Sequence, residues 1–226
     1  MPEIRTALEQ LPLLPFWQHL DDEGRALVRE SAMFLQYRQG QQIHSSHSHC
    51  LGAILVLKGV LRTYLLSPDG REMTLLRTRA GESYLLTAAC VLESISFDTQ
   101  VDAEEDTDIL LVPSSVYSTL VAADPRIECD SYKMLLDSFS DVITSIERLV
   151  FLSLEQRIAS FLLDEASSAG ADCVNMTHEQ IAVNIGSARV AVNRSLNAMA
   201  KQGLLELFRG GVRLADKEAL YGLLQV

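Results

Sequence analysis

The chain has 226 residues, of which 48% are hydrophobic and 22% charged, with a formal net charge of −11. That composition is globular and not disordered, and at about 150 residues per domain the length suits one large domain or two modest ones. No apolar run reaches the roughly 18 residues of a membrane span, no small-residue cleavage site follows an apolar N-terminal stretch, and Cys50, Cys90, Cys129 and Cys173 form no CxxC pair, so a reduced, cytoplasmic setting without a zinc ribbon is expected.

Residues 21–36 place Leu27, Val28, Ala32 and Leu35 at helical spacing behind an acidic start, which predicts a helix. Residues 38–48 are rich in Gly, Gln, Ser and His and read as a loop or an exposed strand edge. Strands are expected over 51–57, 60–66 and 71–77, the last two joined by Ser67-Pro68-Asp69-Gly70, whose Pro and Gly suit a type I or II turn. Residues 78–82 read as a turn and 84–92 as a short helix. Strands over 97–101 and 107–112 are split by the acidic run 102–106. Strands recurring about every ten residues indicate a β-barrel, roll or sandwich.

At Pro113 the pattern turns helical, first over 114–121 and then in a long helix opened by Asp124-Pro125. Tyr132, Leu136, Phe139, Ile143, Ile146 and Val150 step along it by 4, 3, 4, 3, 4. That is an a/d heptad seam, suited either to lying on the barrel or to pairing with a second copy, and the partly apolar other faces (Leu135, Val142, Leu149) favour the homodimer. Another amphipathic helix runs from 154 to about 167, and 169–172 turns the chain. The expected organisation is a β body over 1–123, a dimerisation helix over 124–152 and a C-terminal domain over 153–226.

Within that last part, Thr177 precedes an apolar-periodic stretch with Gln180 three residues on, the spacing of a capping box. Ile181 and Ala182 form the inner side of a two-turn helix, Gly186 permits a tight turn, and Ser187 is placed as the cap of a second helix. The inner face of that helix is Val190 or Ala191, then Val192, Leu196 and Met199, and its outer face offers Arg189, Asn193, Arg194 and Asn197. This is a helix-turn-helix whose second helix carries base-reading donors. Arginine grips guanine O6/N7, and asparagine pairs with adenine N6/N7 or a phosphate. Residues 203–207 and 209–214 then read as two short strands around a glycine turn, a wing. Residues 1–152 carry a net −10 and residues 153–226 a net −1, yet 187–213 carry +4. The acidic whole conceals a basic footprint of the kind that double-stranded DNA requires. A plain helical hairpin with surface arginines explains neither the small residues at the crossing nor the concentration of positive charge.

Gly59 at a strand end, Gly81-Glu82 after the third strand, the long helix into Phe151-Leu152, Arg157, and the run Thr177 through Arg194 together resemble the cyclic-AMP receptor protein / fumarate-nitrate reduction regulator (Crp/Fnr) family of bacterial transcription factors. The resemblance implies an α+β fold: an N-terminal β-roll of the cyclic-nucleotide-binding, jelly-roll kind that senses a small molecule, a central dimerisation helix, and a C-terminal winged helix-turn-helix. It implies a homodimer that reads a near-palindromic site and works with RNA polymerase, not an enzyme. Arg189 and Arg194 match the family's recognition arginines, and Thr177 and Glu179 match positions that touch the DNA backbone. Between the arginines the family usually carries a glutamate, where this chain has Val190, which can pack on a thymine methyl but accepts no hydrogen bond.

The resemblance also bears on the effector. Cyclic-nucleotide binders of the family hold the phosphate with an Arg-Ser pair, and matching backwards from Val101-Asp102-Ala103 puts Phe97-Asp98 there, which speaks against cyclic AMP. The family's oxygen sensors use clustered N-terminal cysteines, whereas Cys50 stands alone, which speaks against an iron–sulfur cluster. Gly81, Glu82, Ser83, Cys90 and Cys50 are the candidate effector residues. For the two cysteines the alternatives are core packing, a thiol redox switch, a haem site with thiolate or imidazole ligands, or an organic effector beside Cys90. Two other function classes compete. A β-barrel metal-dependent enzyme would need convergent ligands from His19, His44, His47, His49 and His178. A cyclic-nucleotide-binding module without a DNA role would need the missing arginine.

Overall fold

The computed structural model describes residues 6–44, 51–67, 70, 72–85 and 99–224. They divide into two compact units, one of residues up to 65 with 75–142 and one of residues 66–74 with 143 onward.

In the first unit Asp21 caps α1 (Asp22–Ser31), its carboxylate accepting from Gly24 N at 2.8 Å. The helix expected to reach residue 36 ends at Ser31. Ala32 is extended (φ −64°, ψ 136°), and Leu35 lies on strand β1 (Met33–Tyr37), opposite Ile109. Leu35 falls at helical spacing, but pairing with a strand more than seventy residues away decides its conformation.

The strands β2 (Gln42–His44), β3 (Gly52–Lys58), β4 (Val60–Leu66), β5 (Glu72–Arg79), β6 (Ser83–Leu85), β7 (Thr99–Ala103) and β8 (Thr107–Pro113) follow. With β1 they form two four-stranded sheets, ordered β1-β8-β3-β6 and β2-β7-β4-β5. Two expectations need correction. Residues 84 and 85 were expected in a helix but lie on β6, where Leu55, Ile54 and Ala53 pair with Ser83, Tyr84 and Leu85; residues 86–92 lie outside the described residues. β5 runs on through Arg79, and β7 through Ala103, so the turns expected at 78–82 and 102–106 are shorter.

β3 and β8 are apolar at nearly every position because both of their faces are covered. Ile54, Val56, Ile109 and Leu111 face the interior of the roll with Leu61, Tyr84 and Val101. Ala53, Leu55, Leu110 and Val112 face a second core built from Leu11, Phe16 and Trp17 of two short 3₁₀ turns and Leu14 between them, together with α2 (Ser114–Ala123) and the start of α3 (Pro125–Phe151). Tyr117 of α2 meets Phe16 edge-on at 5.2 Å between ring centroids and shares a 2.5 Å hydrogen bond with Ser131 of α3.

The second unit holds α4 (Leu154–Ala169), β9 (Cys173–Val174), α5 (His178–Asn184), α6 (Arg189–Lys201), β10 (Leu205–Phe208), β11 (Gly211–Leu214) and α7 (Lys217–Gly222). Ser153 and Gln156 form a capping box at the start of α4, and Gly170 in the left-handed region (φ 61°) ends it. Ile158 and Leu162 of α4, Ile181 of α5, Val192, Leu196 and Met199 of α6 and Val212 of β11 are fully buried in one core. The sheet order is β10-β11-β9, so the wing gains a third strand that the sequence pattern does not announce. The molecule is α+β, with a β-roll, a long helix and a winged helix-turn-helix.

Candidate nucleic-acid interface

Thr177 forms the expected capping box: its hydroxyl accepts from Gln180 N at 3.3 Å, while Gln180 Oε1 accepts from Thr177 N at 2.8 Å. α5 ends in a Schellman motif, with Gly186 N donating to Val183 O at 3.3 Å and Ser187 N to Ala182 O at 2.9 Å. Gly186 takes the positive φ (63°) that this motif requires. Arg157, from α4, donates to Ile185 O at 3.1 Å and fixes the same helix end.

The Ser187 main chain thus closes α5, and contrary to expectation Ser187 does not cap the next helix. That position belongs to Ala188, which is extended (φ −71°, ψ 133°) and offers no side-chain acceptor. α6 thus starts with its first amide donors unpaired by any cap side chain.

The buried side of α6 is Val192, Ser195, Leu196 and Met199, with Ala191 half-buried. This resolves the inner face in favour of Ala191: Val190 is 81% exposed. Arg189, Val190, Asn193, Arg194 and Asn197 form the exposed side. Arg189 Nη1 lies 2.8 Å from Glu179 Oε2 on α5. Among the described residues Arg194, Lys201 and Arg209 have no ion partner, whereas Arg213 pairs with Glu206 across the wing at 3.1 Å. Three unpaired cations on the helix and wing supply a positive surface for a polyanion.

Asn193 joins an i,i+4 neighbour on its own helix to a residue of the other helix, and the second contact is one that residue spacing does not reveal. Its Oδ1 lies 2.9 Å from His178 Nδ1 and 3.2 Å from Asn197 Nδ2, and Asn197 Nδ2 also donates to Asn193 O at 2.7 Å. His178 belongs to α5 and Asn193 to α6, so only the crossing of the helices brings them together.

Elsewhere, the seam residues of α3 lie on its exposed side: Leu136 is 65% exposed, Phe139 61% and Val150 64%, with Tyr132, Ile143 and Ile146 also exposed. Of the candidate effector residues, Gly81 and Glu82 occupy an exposed turn, in which Glu82 Oε2 accepts from Arg79 N at 2.7 Å. Ser83 starts β6 half-buried. Cys50, Cys90, His47, His49, Phe97 and Asp98 lie outside the described residues. His44, placed by its sequence context in a loop or exposed edge, is instead 3% exposed on β2, with its Nδ1 finding no partner among the described residues, and burial lowers its pKa.

Comparison with known proteins bears on the whole chain. The signature of the Crp-like helix-turn-helix domain matches residues 156–223. A solved structure of a transcriptional regulator assigned to the Crp/Fnr family, from Eubacterium rectale, is 34% identical, covers 95% of this chain and 100% of its own, and superposes with a TM-score of 0.90. The transcriptional regulator SdrP of Thermus thermophilus is 27% identical over 174 residues, 74% of this chain and 81% of its own. The cyclic AMP receptor protein of the same organism is 25% identical over 191 residues, 83% of this chain and 88% of its own.

Proposed function

The chain belongs to the Crp/Fnr family of transcription regulators, and from that premise we propose that it acts as a homodimer reading a near-palindromic operator through α6 and obeying an effector held in the β-roll. The observation that carries this reading is the division of α6 into a buried apolar side and an exposed side bearing Arg189, Val190 and Arg194. Arg189 and Arg194 read base edges, Val190 packs on a thymine methyl, and Thr177, Glu179 and Ser187 stand beside the DNA backbone.

The dimer uses α3. A helix with Leu136, Phe139 and Val150 each more than 60% exposed leaves an apolar stripe in water unless a second copy covers it. In functional terms residues 1–123 sense, 124–152 dimerise and 153–226 bind DNA. The protein regulates transcription together with RNA polymerase and works in the cytoplasm. Its effector is not cyclic AMP. Arg62 and Arg77, on the sheet, are engaged by Asp102 and Glu104, with Arg62 Nη2 2.9 Å from Asp102 Oδ2 and Arg77 Nε 2.5 Å from Glu104 Oε2. A cyclic phosphate would have to displace a carboxylate from either one.

Selection from a random-site DNA library with the purified protein tests the reading. Two half-sites about 10 base pairs apart, centre to centre, are expected for a two-fold dimer. Failure to enrich any sequence with or without cell extract overturns it.

A further inference from the structure

Resting on the DNA-binding reading above, we infer that His178 fixes the polarity of the Asn193 amide, so that Asn193 meets DNA through its NH₂ group alone and does not read adenine. The main-chain carbonyl oxygen of Asn193 can only accept, so the side-chain atom of Asn197 lying 2.7 Å from it is a donor, the amide nitrogen Nδ2. That same nitrogen lies 3.2 Å from the terminal atom of the Asn193 side chain, which is therefore an acceptor, Oδ1. His178 Nδ1, 2.9 Å from this oxygen, must then carry hydrogen and donate. One backbone carbonyl thus determines two amide orientations and an imidazole tautomer.

The consequence is a count of lone pairs. Asn193 Oδ1 has two acceptor sites, and His178 and Asn197 occupy both. Bidentate recognition of adenine needs Oδ1 to accept from N6 while Nδ2 donates to N7. With its oxygen occupied, Asn193 retains only N–H groups. They suit an acceptor oxygen or ring nitrogen: guanine O6 or N7, thymine O4, or a phosphate. His178 touches no base in this arrangement; it is a positioning residue.

Two measurements test this. In the free protein at pH 8, long-range ¹⁵N–¹H correlation of the imidazoles should show His178 as the Nδ1–H tautomer, reverting to Nε2–H in Asn193→Ala. The Nε2–H form in the unaltered protein overturns the inference whether or not DNA binds. Random-site selection then compares the unaltered protein with Asn193→Ala, His178→Ala and His178→Gln. A base preference lost in Asn193→Ala should be guanine or thymine, or affinity should fall evenly over all sequences if the acceptor is a phosphate. His178→Ala should gain adenine at any base position that Asn193 reads, and His178→Gln, which still donates, should keep the original preference. Loss of an adenine preference in Asn193→Ala, or an unchanged preference in His178→Ala at a base that Asn193 reads, overturns the inference. Absence of any enriched site in the unaltered protein defeats the DNA-binding reading and leaves the tautomer result to decide this one.

Discussion

Arg189 Nη1 and Glu179 Oε2 are 2.8 Å apart, bridging the first turn of α5 and the first turn of α6. The pair is solvent-exposed, so it contributes little to folding. Its weight lies in orientation: the carboxylate holds the guanidinium at the start of α6, and in the proposed DNA complex its charge would oppose indiscriminate contact with phosphate.

Arg189→Ala and Arg194→Ala should each cost about 1–3 kcal/mol of specific binding and relax the preference at one half-site position. Glu179→Gln should act in the opposite sense on non-specific DNA, raising affinity while lowering discrimination. Competition titrations at fixed salt separate the two effects. Equal loss on all sequences in both arginine variants would make them phosphate contacts.

Phe139→Asp and Ile143→Asp place a charge in the proposed α3 seam. Burying an unpaired carboxylate there costs several kcal/mol, on the order of the 3–5 kcal/mol known for broken buried pairs. Sedimentation should show monomers with an unchanged helical signal. A double variant that stays dimeric would move the interface elsewhere.

His44 gives a pH signature. Burial lowers its pKa from 6.5, so between its folded value and 6.5 the unfolded chain binds more protons than the folded one. Its contribution to stability is full above about pH 6.5 and is lost as pH falls below that value. His44→Phe, similar in size and without a proton to gain, should show a shallower fall in Tm between pH 7.5 and pH 5. Parallel curves would mean that His44 is hydrated in solution.

Gly59 links β3 to β4 with φ at +84°, and a Cβ there would lie against Thr107 Oγ1 and 2.7 Å from Asp106 O. Gly59→Ala should destabilise by about 2 kcal/mol or more, the sum of a left-handed backbone penalty and a clash with main chain that cannot move aside. Denaturant melts measure it, and a midpoint within error of the original would show that the turn repacks.

The C-terminal half was legible because its signals are local. Thr177 and Gln180 announce a helix start, Gly186 a helix end, and Gly210 a hairpin turn, each within a few residues of what it controls. Leu35 and Tyr84 were misread because strand pairing with Ile109 and Ile54 is decided far along the chain. Ser187 is placed one residue off because the motif that closes α5 includes it, with its N–H on Ala182 O, and the next helix begins one residue later, with Ala188 at its N-cap. The pairing of His178 with Asn193 is not legible in the sequence because the two lie fifteen residues apart on neighbouring helices.

Val190 projects into solvent at 81% exposure and bears no weight in the core. A side chain so placed can be exchanged with little folding penalty, so under the proposed readout the exchange would bear on DNA choice alone. Every valine codon becomes an acidic codon, glutamate or aspartate, by a single nucleotide change, so under the proposed readout one point mutation would supply a hydrogen-bond acceptor at this place. If Val190 reads the operator as proposed, duplicated copies of the gene could drift apart in operator choice at this residue while keeping the same fold, and a cell could acquire two separate regulons from one scaffold.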